Sequence, residues 1–243
     1  MIAGLAGLRP GDIGFGPIRG GAGLLVSAGQ LMLGEGFRVG RLDVRHVFVV
    51  VEAQAPEDAM ADRVARVFDV PTRLVDPRGP WCVEAMPQGA RKICIDDRWT
   101  EQYAYVRLPE DYPGQAEDAA AIARAMIGTP YSFASYAALA AWRLGWKTPR
   151  LEKWINRRQT PKHIIDKPSG TGELWTTSNP SLTEIALPCE AICSVLADQA
   201  WSLTGKKIME GVAHQCVTPG ALAGRLLEMD GARWIWPGRV LAS

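Results

Sequence analysis

The distribution of apolar positions divides the chain into a strand-rich first part and a helix-rich second part. Residues 45–52 carry a nearly continuous run of β-branched side chains, which is typical of a strand buried on both faces. Three further segments have strand-like patterns and predict neighbouring strands of the same sheet: residues 81–85, 91–95 and 103–108.

The helical pattern begins after these strands. Residues 115–127 are rich in alanine and stop at Gly128, with Pro130 shortly after, as helices commonly do. Thr218 and Pro219 have the residue types preferred at the N-cap and the first position of a helix. The other predicted helices cover residues 132–146, 189–203 and 219–229. Because the strands precede the helices, the sequence predicts an α+β fold rather than alternating βαβ units.

A long connection, residues 147–181, is rich in Lys, Arg, Thr, Pro and Gly. It is predicted to be an insertion, helical over residues 151–158 and otherwise loop. Connections of this length in a compact domain are usually functional or ordered by a partner. We therefore expect one domain, residues 1–243, whose insertion at about 147–181 is a candidate site for a protein partner. Three tryptophans with basic neighbours suit either an interface or core packing: Trp142, Trp146 and Trp154.

Charge and composition exclude several classes of protein. The 243 residues carry 27 Lys and Arg against 26 Asp and Glu, so there is no basic surplus for a nucleic-acid backbone. The longest low-charge stretch, residues 20–34, is interrupted by glycines and is too short to span a bilayer. Since no secretory leader is recognisable, we expect a soluble protein, cytoplasmic at synthesis, with no membrane span and no nucleic-acid partner.

The cysteines indicate a reducing compartment rather than disulfides or a metal site. Their number, five, is odd, and none forms a C-x-x-C motif, so neither a disulfide framework nor a zinc ribbon is predicted. His214 and Cys216 lie close together, but the sequence contains no second pair with ligand spacing. We therefore predict neither a metal nor a cofactor.

Three residues carry the candidate chemistry. His46 begins the clearest strand, Glu84 lies on a predicted neighbouring strand, and Cys193 lies in the first turns of a predicted helix. The unpaired N–H groups at a helix start lower the pKa of a thiol and favour the thiolate. A histidine within reach completes the ion pair, and a carboxylate on its other nitrogen orients the ring. Taken singly, each of these residues is also a common core residue.

Five short sequence motifs, called phrases below, occur in an order that is characteristic of one family. They are GDIGF at 11–15, HVFVV at 46–50, VEA at 83–85 followed by Gly89-Ala90, GTPYSF at 128–133 and CSVL at 193–196. In these phrases the chain resembles the NlpC/P60 cysteine hydrolases, in the circularly permuted papain-like form to which the YiiX-like proteins belong. The resemblance covers about residues 8–110 and 118–229 in patches.

The resemblance implies a fold and a set of roles. It implies a permuted papain-like fold, with an antiparallel sheet or small barrel packed against helices. Cys193 corresponds to the nucleophile, His46 to the base and Glu84 to the orienting group. Tyr131 corresponds to a tyrosine near the site that helps to position substrate, although a buried core tyrosine is an equal alternative.

Some assignments within this resemblance stay open. Cys189 lies one turn before Cys193 on the same helix face and is a second candidate nucleophile. Glu52 is a rival for the third position, although it lies far along the strand from His46. Val195 stands where the family has a glycine.

A glycine-rich segment lies near the first phrase. It is not a dinucleotide-binding loop, because Pro17 and Arg19 interrupt it and no βαβ unit follows. We interpret it as a flexible segment near the site and a candidate lid: Gly14, Gly16, Gly20, Gly21 and Gly23.

Three functions are compatible with the sequence. The resemblance implies a cysteine hydrolase that cleaves an amide bond, with peptidoglycan stem peptides of the cell wall as substrate; a bacteriophage virion or lysis enzyme is one setting for it. The second is a lipid acyl hydrolase or acyltransferase, with the apolar run at 24–33 lining an acyl channel. The third is a non-catalytic attachment module of a larger virion assembly, with residues 147–181 as its docking arm.

Overall fold

The computed structural model describes residues 7–18, 38–39, 42–53, 80–95, 103–131, 145, 148–150, 163–166, 184–187, 191–211 and 217–235. Several sequence predictions lie largely or wholly outside these residues. They concern the apolar run 24–33, the helices over 132–146 and 151–158, Trp142, Trp146, Trp154, Cys189, His214 and Cys216. The single-domain boundary stays a prediction.

Within the described residues the chain forms ten strands and three helices. The strands are β1 (Ile13–Gly16), β2 (Arg38–Val39), β3 (Leu42–Asp43), β4 (His46–Glu52), β5 (Trp81–Met86), β6 (Gly89–Cys94), β7 (Ala104–Arg107), β8 (His163–Asp166), β9 (Glu184–Leu187) and β10 (Arg233–Ile235). The helices are α1 (Gln115–Ala125), α2 (Cys193–Ser202) and α3 (Pro219–Glu228). The predicted α+β class is confirmed.

Six of the strands form one antiparallel sheet in the order β10-β7-β1-β4-β5-β6. Strand β4 is central, between β1 and β5. Strand β10 departs from the predicted order of strands before helices, because it follows α3 in the chain and yet pairs with β7. Residues 163–166, predicted as loop, form β8 and pair with β9 in a separate two-stranded sheet.

Both faces of β4 are buried, each in its own apolar cluster. Val47, Val49 and Val51 belong to the cluster that the three helices cover, whereas Phe48 and Val50 belong to the cluster on the other face. Each large apolar side chain buried here contributes roughly 1.5–3 kcal/mol to holding the layers together. The largest residues that the helices and the C-cap of α1 contribute to the first cluster are Ile122, Met126, Leu196, Trp201, Leu222 and Leu226.

The start of α2 is fixed by two hydrogen bonds on either side of Cys193. The hydroxyl of Ser194 donates to the carbonyl of Val217 at 2.6 Å. The backbone N–H of Ala191 donates to the carbonyl of Pro130 at 3.0 Å. Because both bonds lie within two residues of Cys193, they give the first residue of the helix a defined position against the sheet.

Two glycines of β1 allow aromatic rings to lie directly on the strand. A Cβ atom at Gly14 would overlap the ring of Phe48, and one at Gly16 would overlap the ring of Tyr103. Phe48 cannot withdraw easily, because it is 2% exposed and packs edge-on against Tyr103 and Tyr105. The prediction that Gly14 and Gly16 belong to a flexible lid is therefore wrong: they form a buried strand. Gly20, Gly21 and Gly23 lie outside the described residues.

This packing predicts opposite effects for two glycine-to-alanine substitutions. Gly14→Ala is expected to destabilise the protein by about 1–3 kcal/mol, because overpacking displaces buried side chains. Gly224→Ala, within α3, is expected to stabilise it by roughly 0.5–1 kcal/mol, since a Cβ there meets no atom within 4 Å. Urea unfolding of both variants measures the difference. Equal effects would contradict the close approach of Phe48 to β1.

Candidate active site

His46 and Glu84 are brought together by the register of two neighbouring strands. His46 is the first residue of β4, and Phe48, two residues later, lies directly opposite Glu84 of β5. His46, at the end of β4, is a diagonal neighbour of Glu84 across the two strands. His46 Nε2 lies 2.6 Å from Glu84 Oε2, a contact that orients the imidazole ring.

Glu84 is buried but has two cationic partners. It is 5% exposed, and a carboxylate withdrawn from water to this extent is costly unless it is paired. Its second oxygen, Oε1, accepts a hydrogen bond from Arg91 Nε at 2.8 Å and forms an ion pair with Arg91 Nη2 at 2.7 Å. Burial raises the pKa of Glu84, but the hydrogen bonds and charges of His46 and Arg91 outweigh this and lower it overall. Glu84 is therefore a carboxylate at neutral pH.

Arg91 was not among the sequence-predicted site residues, although a signal for it exists. The hairpin of β5 and β6 turns at Pro87 and Gln88, and proline is a residue type typical of turns. Once Met86 is opposite Gly89, the antiparallel ladder places Glu84 directly opposite Arg91. Opposite charges at directly facing positions are a common stabilising pair in sheets.

Cys193 is the first residue of α2 and is 1% exposed. The N-cap residue, Ile192, offers no side-chain hydrogen bond, and the first turn of the helix holds no acidic residue. The first N–H groups of a helix lack intrahelical partners and carry partial positive charge. They are thus available to stabilise a thiolate at Cys193 or an oxyanion next to it.

The Cys193 side chain is one of two groups that raise the pKa of the His46 imidazole. Burial lowers the pKa of His46, but hydrogen bonding and charge at Cys193 and at Glu84 outweigh it and raise this pKa from 6.5 to about 9. Nε2 faces Glu84, and Nδ1 is buried with no hydrogen bond of ordinary geometry from the described residues. Nδ1 is consequently the ring nitrogen that remains for the Cys193 thiol.

The structure also locates the remaining sequence candidates. Glu52, the rival of Glu84, ends β4 and pairs with Lys92 at 2.6 Å on the surface, so the structure does not bring it to His46. Tyr131 forms a parallel β-bridge with Ala191, two residues before Cys193, and its half-buried side chain packs against the helix-covered cluster. Val195 is buried on α2. Cys189 lies outside the described residues.

Two other kinds of feature are absent from the described residues. No group of three or more His, Cys, Asp or Glu side chains among them is arranged to hold a metal ion. Within the same residues, no helix has the length and apolar character needed to cross a membrane.

Comparison with known proteins assigns the chain to no family. Neither a protein-family model, nor a curated protein, nor a solved structure matches the chain. The chemistry of Cys193, His46, Glu84 and Arg91 is therefore what supports a function.

Proposed function

We propose that the protein is a cysteine hydrolase that cleaves an amide bond by acyl transfer. The observation that carries the proposal is the buried contact of the Glu84 carboxylate with the His46 imidazole, together with a buried Cys193 at the start of α2 that raises the pKa of that imidazole. A thiol at a helix start, a histidine and an orienting carboxylate are the components of nucleophilic cysteine catalysis.

The chemistry follows from the charges of these groups. The thiolate of Cys193 attacks the carbonyl carbon, and the N–H groups at the start of α2 stabilise the resulting oxyanion. His46, as imidazolium, donates its proton to the leaving amine, so that the C–N bond breaks and a thioester forms. Neutral His46 then takes a proton from water, the hydroxide attacks the thioester, the C–S bond breaks, and the acid product leaves the Cys193 thiolate beside the His46 imidazolium.

Glu84 supports both states of His46 in this cycle. As a carboxylate on Nε2, it keeps Nδ1 directed at the thiol and stabilises the imidazolium that forms with the thiolate. The 5% exposure of Glu84 strengthens this interaction, because water screens it only weakly.

The substrate class rests on the resemblance to permuted NlpC/P60 hydrolases. The antiparallel sheet with helices on one face is compatible with that permuted papain-like fold, and the five phrases supply the cyclic order. We accordingly propose peptide bonds of peptidoglycan stem peptides as the substrate.

Thiol labelling tests the proposal without a substrate. Cys94 is partly exposed, whereas Cys193 and Cys82 are buried, so accessibility alone predicts that iodoacetamide reacts with Cys94 first. If Cys193 is an imidazole-paired thiolate, it is expected to react first at about pH 6–7, where ordinary thiols are protonated. Timed quenching followed by peptide mass spectrometry gives a rate for each cysteine.

The control is the same experiment on His46→Ala. This variant is expected to label roughly tenfold or more slowly at Cys193, because the counter-ion of the thiolate is gone, with no change at Cys94. The unchanged Cys94 rate also reports that the sheet has stayed folded. Labelling of Cys94 ahead of Cys193 in the wild type would count against the hydrolase and favour a non-catalytic module.

A further inference from the structure

Arg91 shares one carboxylate with the candidate base. Both of its contacts, from Nε and from Nη2, go to Glu84 Oε1, while Glu84 Oε2 faces His46 Nε2. Each oxygen of Glu84 therefore has its own partner, and rotation of the carboxylate would break contacts on both sides. The geometry links Arg91 to His46 through a single rigid group.

His46 and Glu84 are buried, whereas Arg91 is half exposed. The side chains of His46 and Glu84 are 5% and 7% exposed, whereas that of Arg91 is 51% exposed. Half of the Arg91 side chain stays exposed, so Arg91 brings a permanent positive charge to a buried carboxylate without being buried itself. A structural ion pair alone would not require the other carboxylate oxygen to face an imidazole.

We infer that Arg91 is a positioning residue of the site, which keeps Glu84 ionised and holds Oε2 toward His46. This inference rests on the proposed function. Arg91 does not touch the thiol in this arrangement; its effect reaches Cys193 through Glu84 and His46. Without Arg91, Glu84 would bind a proton more readily and would be free to turn, and the imidazolium partner of the thiolate would lose its support at acid pH.

The adjacent residue offers a matched control. Lys92 follows Arg91 on β6 and also carries a positive charge, but it pairs with Glu52 at 2.6 Å and lies over the ring of Trp81. Removing Lys92 deletes the same charge from the same strand without touching Glu84. A general effect of surface charge would appear in both variants, and an effect through Glu84 only in the Arg91 variant.

The test is the pH dependence of Cys193 alkylation by iodoacetamide in the full chain, from about pH 4 to pH 9, where carboxylate, imidazole and thiol all titrate. In Arg91→Met the acid limb of the rate profile is expected to move up by about 0.5–1 pH unit, because Glu84 loses a half-exposed cation. Arg91→Lys is expected to restore part of this shift, and Lys92→Met is expected to follow the wild type. If Arg91→Met does not fold, Arg91→Gln removes the charge, keeps a donor and carries the same expectation.

The possible results separate the inference from the proposed function. If the wild type labels Cys193 first and Arg91→Met keeps the wild-type profile, the role of Arg91 is overturned while the hydrolase proposal stands. If the wild-type Cys193 rate simply rises toward about pH 8.5, as for an isolated thiol, the paired thiolate does not exist and both fail. Equal shifts in Arg91→Met and Lys92→Met would reduce Arg91 to a surface charge and also overturn its role.

Discussion

Replacement of Cys193 by alanine is expected to lower the rate of peptidoglycan hydrolysis by at least about 10³-fold, because no acyl-enzyme can form without the nucleophile. Cys82 cannot substitute for it, because burial raises the pKa of the Cys82 thiol well above its usual value and keeps it protonated. The measurement is the release of new amino groups from purified peptidoglycan, with the products identified by mass spectrometry.

Two further cysteine variants make this result specific. Cys82→Ala removes another buried thiol of the sheet and is expected to keep the wild-type rate, so it controls for the loss of a buried sulfur. Cys189→Ala is expected to keep it as well. Activity that is lost in Cys189→Ala and retained in Cys193→Ala would transfer the nucleophile to Cys189. Retention of activity in both single variants would contradict catalysis by either cysteine.

The fold class could be predicted from the sequence because the signals are local. The continuous β-branched run at 45–52 matches β4, whose residues are buried on both faces, and the alanine-rich segment matches α1. Strand β10 was missed because three residues are too few to show a period of two, and its pairing with β7 is a tertiary contact. The same holds for β8, which lies in a segment of mixed composition.

The candidate site could be predicted from the sequence only in part. His46 and Glu84 lie on strands that the pattern identifies, and their adjacency follows once those strands pair. The approach of α2 to β4 has no local signal, because it depends on how the helix layer packs on the sheet; the resemblance alone suggested it. Arg91 required the hairpin register, which depends on the turn at Pro87 and Gln88.

Glycine at positions 14 and 16 illustrates why composition misled the sequence prediction. In sequence, glycines near a candidate site suggest mobility, because they lack the restriction of a Cβ atom. In the structure the missing Cβ atoms serve packing, since the rings of Phe48 and Tyr103 occupy the space. Which of the two explanations applies depends on the neighbouring strands β4 and β7. The residues around Gly14 and Gly16 do not show where those strands lie.

His46 is expected to contribute stability that falls between about pH 6.5 and pH 9, by up to about 3 kcal/mol. Its pKa is raised from 6.5 to about 9 in the folded protein, where burial is outweighed by Cys193 and Glu84. The protonated ring thus stabilises the folded state fully below pH 6.5, and this stabilisation is lost as the pH rises through about 9. Urea unfolding at a series of pH values measures the slope.

At acid pH the stability changes in the opposite direction, and the group responsible is Glu84. Because the pKa of Glu84 is lowered on folding, its stabilisation is present above its ordinary value of 4.5 and is lost as the pH falls through the folded pKa. His46→Asn is expected to flatten the alkaline slope, and Glu84→Gln is expected to weaken both slopes, since it removes the carboxylate that supports the imidazolium. Cys193→Ala is expected to move the alkaline loss to lower pH, because one of the two groups that raise the pKa of His46 is gone. Because a Cys193 thiolate would offset the His46 slope, the decisive comparison is made without that thiol: identical alkaline slopes in Cys193→Ala and in the double variant Cys193→Ala, His46→Asn would show that the charge of His46 does not stabilise the fold.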